Sequence, residues 1–323
     1  MSLESSSKSD RRNFLKGVGG VAAGMALVGT GQEMSAASHK NMDTKHPLST
    51  NTYPWMTFYR REGGEFESDL PRAISEVKKS GADHFEPNLK SLEFVDELSN
   101  ELQKQEIGMQ SVYVNSDLWD KEKAKASMDW VMSVVRRAKK RMGTKVVVTN
   151  PSPIQWGSPE NKNDEQLAVQ RDALEELGKA IDSEGMHLAY HFHDPEFREG
   201  AREVHHMLAA TDSRYVKLCL DSHWAYRGAG DSNVALYDII KLYGYRIVEL
   251  HIRQSKGGVW TEAFGDGDID HDRLTKELVK LGVSPMVTME QAVEGKTPHT
   301  MNGLEAHKIS HARARKVFAP FIS

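Results

Sequence analysis

From Tyr53 onward the chain repeats one unit: a short apolar run, a polar junction, an amphipathic helix and a glycine. The apolar runs are Tyr53–Tyr59, Ala82–Glu86, Met109–Val114, Lys145–Thr149, His187–Tyr190, Tyr215–Leu220, Arg246–Leu250 and Met286–Met289. Between them the apolar residues recur with a helical period: Leu70, Ile74 and Val77; Leu92, Val95, Leu98 and Leu102; Leu274, Leu278 and Leu281. Gly81, Gly108, Gly143, Gly185, Gly244 and Gly282 follow these helices, where glycine is expected to take the left-handed conformation that ends a helix. The long interval between Gly185 and Gly244 holds a further unit, with Thr211-Asp212-Ser213 as its junction.

Runs such as Val146-Val147-Val148 are apolar without alternation, as parallel strands covered on both faces are. Eight alternating units of this kind predict a closed (β/α)8 TIM barrel in one domain over residues 53–323. An open doubly wound sheet is disfavoured because the first turn lacks Gly-x-Gly-x-x-Gly. Hydrophobic residues at 39% and charged residues at 27% suffice for one large soluble core. The only cysteine, Cys219, cannot form an internal disulfide and lies in the apolar run Val216–Leu220, so it is expected to be a core residue. The net charge of −4 gives no electrostatic drive toward a phosphate backbone, so no nucleic-acid partner is expected. A homo-oligomer is left open.

The N-terminus differs. Ser9-Asp10-Arg11-Arg12-Asn13-Phe14-Leu15-Lys16 precedes a glycine- and alanine-rich apolar stretch, and Ser35-Ala36-Ala37 supplies small residues for cleavage. This resembles a bacterial twin-arginine signal peptide over 1–37, with a linker over 38–52. The apolar stretch is short of the ~20 residues that span a bilayer. The resemblance implies the twin-arginine export machinery as a partner and a periplasmic location. Export argues for a free or glycosidic sugar over a phosphorylated intracellular one.

In a barrel the site lies at the C-terminal ends of the strands. Those ends carry Glu86, Asn150, His191 and His193, Asp221, His251 and Glu290. His191, Asp221, His251 and Glu290 follow four consecutive strands, one βα unit apart. Two imidazoles and two carboxylates suit a divalent ion such as Mn, Co or Zn. Glu86 is read as a hydrogen-bond partner of a sugar hydroxyl, and Trp224 as an aromatic that stacks on a sugar or covers the barrel mouth. The loop Asn150–Gly157 walls a pocket or caps the barrel, Gly257–Glu262 is read as a mobile lid, and His205, His206, His299, His307 and His311 as solvated.

Several segments resemble the xylose-isomerase-like sugar phosphate isomerase/epimerase superfamily. Tyr190-His191-Phe192-His193-Asp194-Pro195-Glu196-Phe197 is similar to its His-Asn-His-Asp-x-Glu-Phe segment, and Leu220-Asp221-Ser222-His223-Trp224 to its Leu-Asp-x-x-Trp. Gly265-Asp266-Gly267-Asp268-Ile269-Asp270 is similar to its Gly-x-Gly-x-x-Asp, and Met289-Glu290 ends the eighth strand as in the family. The resemblance implies a metal-dependent isomerase or epimerase of a keto-sugar, acting through an enediolate, with Glu290 and His193 moving the proton. There are two departures: His191 stands where epimerases of the superfamily carry glutamate, and Arg253-Gln254 where Lys-Asp is common. Arg253 thereby becomes a candidate substrate contact. The histidine weakens a symmetrical two-carboxylate epimerisation and raises isomerisation or β-elimination by a lyase. A non-catalytic sugar-binding barrel and a metal endonuclease are the rival classes. The first is disfavoured by the presence of Asp221 and Glu290, the second by the absence of a basic surface.

Overall fold

The computed structural model describes residues 44–323, so the signal peptide expected over 1–37 and the first part of the linker lie outside the described residues. Eight parallel strands form the wall of a (β/α)8 barrel: β1 (Ser49–Asn51), β2 (His84–Glu86), β3 (Ser111–Tyr113), β4 (Val146–Thr149), β5 (His187–Tyr190), β6 (Val216–Asp221), β7 (Ile247–Ile252) and β8 (Met286–Met289). Each pairs with its sequence neighbours except at the junction of β2 and β3, and β1 pairs with β8. The seam between β2 and β3 is held by Phe85 N–H donating to Gly108 O (2.9 Å) and Tyr113 N–H to Pro87 O (2.8 Å). The His84 ring packs over Gly108, where any Cβ would collide with it. Gly108 is thus required by close approach and lacks the left-handed backbone expected of it. Gly244, with φ −55°, also lacks it, whereas Gly81, Gly143, Gly185 and Gly282 have positive φ.

The first strand corrects the sequence reading. Tyr53–Tyr59 is not a strand but lies in helix α1 (Thr52–Arg61), and β1 falls inside the segment expected to be linker. Pro54 sits in the first turn of that helix, where its missing N–H has no partner to lose, whereas a central strand would lose a ladder bond. Ser49-Thr50-Asn51 contains no large apolar residue, so nothing local marks it as a strand. It is made one by pairing on both sides, Thr50 opposite Phe85 of β2 and Met289 of β8.

Helices cover the outside. In α2 (Leu70–Lys79) and α3 (Leu92–Lys104), the buried faces include Ile74, Val77, Val95, Leu98 and Leu102. Helix α5 (Asp164–Ser183) begins with a reciprocal cap in which Asn163 Oδ1 accepts from Gln166 N–H and Gln166 Oε1 from Asn163 N–H, both at 2.9 Å. Against the expectation of solvation, His307 and His311 are 1% exposed. They share the buried face of the last helix, Gly303–Val317, and His307 stacks on Trp55 at 3.9 Å.

Candidate metal centre and active site

Alternation along each strand decides which residue reaches the barrel mouth. Val148, Ala189, Cys219 and Glu249 are fully buried. Two positions on, with the same parity, come Asn150, His191, Asp221 and His251. Counting likewise on the other strands adds Asn51, Glu86, Asn115 and Glu290. An open cavity of about 720 Å³ lies at this end, lined by Asn51, Tyr53, Met56, Glu86, Asn88, Tyr113, Asn115, Trp156, His191, His193 and Glu290, with Thr52.

One ligand atom from each of His191, Asp221, His251 and Glu290 lies within 4.8 Å of every other, and all four residues are buried. Three of the side chains are held by a partner on the far side, and His191 through its main chain. Asp221 caps the N-terminus of α7 (Ser222–Gly228): its Oδ1 accepts from His223 N–H (2.8 Å) and Trp224 N–H (2.7 Å), leaving Oδ2 turned inward. His251 Nε2 lies 3.1 Å from Glu86 Oε1, which favours the tautomer with its proton on Nε2 and a lone pair on Nδ1. That Nδ1 is 2.8 Å from Glu290 Oε2, yet the pair is out of line for a hydrogen bond and Nδ1 has no partner. Arg253 donates through Nε to Glu290 O (2.9 Å) and through Nη2 to Glu290 Oε1 (2.6 Å). Asn150 Nδ2 donates to His191 O (3.1 Å).

Both ring nitrogens of His191, Asp221 Oδ2 and His251 Nδ1 are buried without a hydrogen-bond partner. Each such atom costs about 1–3 kcal/mol if left unpaired. A set of lone pairs turned toward one another in a buried space is repulsive by itself and matches a divalent cation's demand for N and O donors. The residues present fit such an ion. His193 is outside this set: it is half-buried on the cavity wall, its ring 4.8 Å from that of His191.

The electrostatics follow from burial. Burial works against the charge of Glu290, but the charges beside it, the Arg253 guanidinium first, outweigh it and hold the carboxyl well below the usual carboxylate range. Burial, followed by the charge of Glu290, pushes Asp221 up. His193 is pushed down to about 3, first by burial and then by His191, so its ring is neutral.

The three expected substrate contacts all have protein partners in the structure. Glu86 lines the cavity but is fully buried, with His251 Nε2 at 3.1 and 3.3 Å from its two oxygens and Asn51 Nδ2 at 3.4 Å from Oε1, so it orients a histidine. Arg253 is fully buried, clamps Glu290 and lies 4.0 Å from the centre of the Trp260 ring. Trp224 stands behind His193 at 5.5 Å, against Trp260. The expected lid is also corrected: Ser255–Lys256 and Val259–Trp260 form a hairpin pinned by Asp268, which accepts from Gly257 N–H (2.8 Å) and Gly258 N–H (2.9 Å). Asn51, Tyr53, Asn88, Tyr113 and Asn115 were missed as site residues. Asn51 could have been found only by recognising β1, while Asn115 follows an expected strand with the right parity.

Among solved structures, the 3-keto-D-glucoside 4-epimerase of E. coli superposes with a TM-score of 0.62 at 15% identity, over 84% of this chain and all of that one. The IolI protein with a bound zinc atom gives 0.62 at 19%, over 86% of this chain and all of that one. At these identities the likeness carries the fold alone. An inosose dehydratase of Clostridium beijerinckii is 24% identical over 204 residues, 60% of this chain and 66% of the relative, so just under two thirds of that protein is spanned. The sequence pattern of the xylose isomerase-like TIM barrel runs through residues 74–311, from α2 to the last helix, and this chain belongs to that family.

Proposed function

We propose that the protein is a divalent-metal-dependent enzyme that removes a proton beside the carbonyl of a free or glycosidic keto-sugar. The observation that carries this reading is the buried convergence of His191, Asp221, His251 and Glu290, with unpaired donor atoms on the first three. These four residues would hold Mn, Co or Zn, which when bound supplies a Lewis acid to polarise the carbonyl oxygen.

The chain's own groups divide the remaining work. Glu290 is held at both carboxylate oxygens, Oε1 by Arg253 and Oε2 by Asn51, and serves as a ligand. His193, neutral and on the cavity wall, accepts the C–H proton. The imidazolium so formed is acidic: it returns the proton to the neighbouring carbon while the hydroxyl proton passes to the former carbonyl oxygen, giving an isomer, or it protonates a departing β-hydroxyl, releasing water. Exchange of a proton between two free carboxylates on opposite faces has no support here, because His191 belongs to the ligand cluster and Glu290 is tied to Arg253. Isomerisation therefore leads, and β-elimination is the second reading, favoured by the dehydratase relative; one-base epimerisation is a third outcome.

The test is a screen of keto-sugars with metal-loaded protein in deuterated water, followed by proton NMR. Deuterium should enter at the reacting carbon, and His193→Ala should lower turnover by roughly 10²–10⁴-fold while metal content holds. A His193→Ala variant with near-full activity removes that residue from the scheme. Complete transfer of the substrate's own label to the next carbon would indicate a hydride shift instead. The reading extends to location: the Arg11-Arg12 pair argues for export to the periplasm, and its replacement by two lysines should hold the precursor in the cytoplasm.

A further inference from the structure

Trp156 is used neither by the core nor by the chemistry just described. It is 53% exposed, although it lines the cavity that holds His193 and Glu290. Among the described residues its one aromatic neighbour there is the His193 ring, met at right angles with centroids 5.1 Å apart. A half-bare indole on a floppy loop would need no explanation, since single exposed apolar residues are common. This loop is tied along its length. Pro151 and Pro153 limit its backbone, and Ser152 N–H donates to Ser116 O at 2.8 Å. The buried Lys162 Nζ reaches Pro151 O at 3.2 Å and Glu203 Oε1 at 2.8 Å. Arg198 Nη1 donates to Ser158 O at 2.9 Å. The loop thus carries a large apolar face at a fixed place on the rim of a polar cavity, and among the described residues that face stays half uncovered.

The rest of the rim has a matching character. Tyr53 is 40% exposed on the same cavity. Asn88 and Asn115 are exposed there too, and neither amide is engaged by another side chain or by the backbone. The lining contains no lysine and no arginine, and the Arg253 guanidinium is committed to Glu290. A phosphate or carboxylate on this rim, away from the proposed ion, would lose its hydration with no side-chain cation to replace it. An uncharged sugar ring meets both kinds of surface at once, because its C–H face is apolar and its edge is a ring of hydroxyls. Sites of this composition, apolar walls with a few placed polar groups, fix both affinity and orientation.

We infer that the cavity mouth is a second sugar-ring subsite, with Trp156 as the stacking platform and Asn88 and Asn115 as hydroxyl partners, so that the substrate is an uncharged glycoside or disaccharide. The ring nearer His191 and Glu290 reacts and the ring on Trp156 anchors it. This rests on the proposed function for which ring reacts, and adds the size and charge of what is bound. The anchoring ring is gripped by a preformed loop, so little ordering is needed on binding.

The experiment uses zinc-loaded full-length protein, titrated calorimetrically with cellobiose, maltose, trehalose and sucrose, and separately with glucose, fructose and glucose 6-phosphate. At least one disaccharide should bind about tenfold or more tightly than its component monosaccharides. Trp156→Ala should weaken that disaccharide by about tenfold (about 1.4 kcal/mol) and the monosaccharides by less than about twofold, and Trp156→Phe should restore most of the loss. Saturation-transfer NMR should mark protons of one ring in wild type and lose them in Trp156→Ala. The subsite is refuted if disaccharides bind no tighter than monosaccharides, if Trp156→Ala weakens both alike, or if glucose 6-phosphate binds best. If monosaccharides bind and exchange deuterium while Trp156 makes no difference, the subsite alone is wrong. If no sugar of either size binds, the proposed function falls with it.

Discussion

The two halves of the barrel end differently. Strands β5 to β8 deliver His191, Asp221, His251 and Glu290 to the mouth, while β1 to β4 deliver Asn51, Glu86, Asn115 and Asn150. The first set is buried and turns its lone pairs on one another. The second is mostly amide, and its one carboxylate is directed at His251 of the first set. On the proposed function, the difference would let a single barrel separate binding a charge from binding a neutral molecule. Ionisable groups concentrate where an ion would compensate them, and the opposite wall, its one carboxylate committed to His251, offers amides that would neither compete for the ion nor repel a hydroxylated ligand.

The largest effect should come from the ionisable half. Asp221→Asn keeps the volume and the cap on α7 but removes a ligand charge. Metal content of the purified variant should fall by more than the roughly 10–100-fold in affinity that an outer-shell change costs, with the far-ultraviolet circular dichroism unchanged. Stoichiometric metal in this variant would end the distinction between the halves.

A smaller loss is expected where the halves meet. Glu86→Gln leaves the shape but weakens the acceptor of the His251 Nε2 proton, so metal affinity should drop by about 10–100-fold. The competing outcome is informative: intact metal affinity with a raised sugar KM would return Glu86 to the neutral half as a substrate contact.

The smallest effect belongs to the amide wall. Asn115→Ala should raise the KM for a turned-over sugar by a few-fold to about tenfold, in line with about 0.5–1.5 kcal/mol for one neutral hydrogen bond, and leave metal content alone. Loss of metal in this variant would show that the two halves are coupled more tightly than their contacts suggest.

The ionisable half was legible in the sequence because its strands are strongly apolar and end abruptly in His, Asp or Glu. Val216–Leu220 followed by Asp221, and Met286–Met289 followed by Glu290, announce both the strand and its terminus. The amide half was not legible to the same degree. Ser49-Thr50-Asn51 resembles linker, and Tyr53–Tyr59 has the apolar and aromatic content of a strand although Trp55 and Phe58 point into the core from a helix. Likewise, Arg253-Gln254 stands where Lys-Asp is common in the resembled family, which suggested a group offered to substrate. Only the packed structure shows Glu290 within reach of its guanidinium and three aromatic rings around it.

The sequence by itself determined the alternation of eight strands with helices, and through strand parity the inward ring of His191, Asp221, His251 and Glu290. Both are local consequences of periodicity and of what an apolar run can bury. The tertiary structure decided what each polar group faces once inside: that Glu86 answers His251, that Arg253 holds Glu290, that a short polar segment becomes β1 because β2 and β8 both need a partner, and that Trp156 is left bare. Those outcomes depend on residues far apart in the chain meeting at hydrogen-bond distance, and no local pattern encodes the meeting.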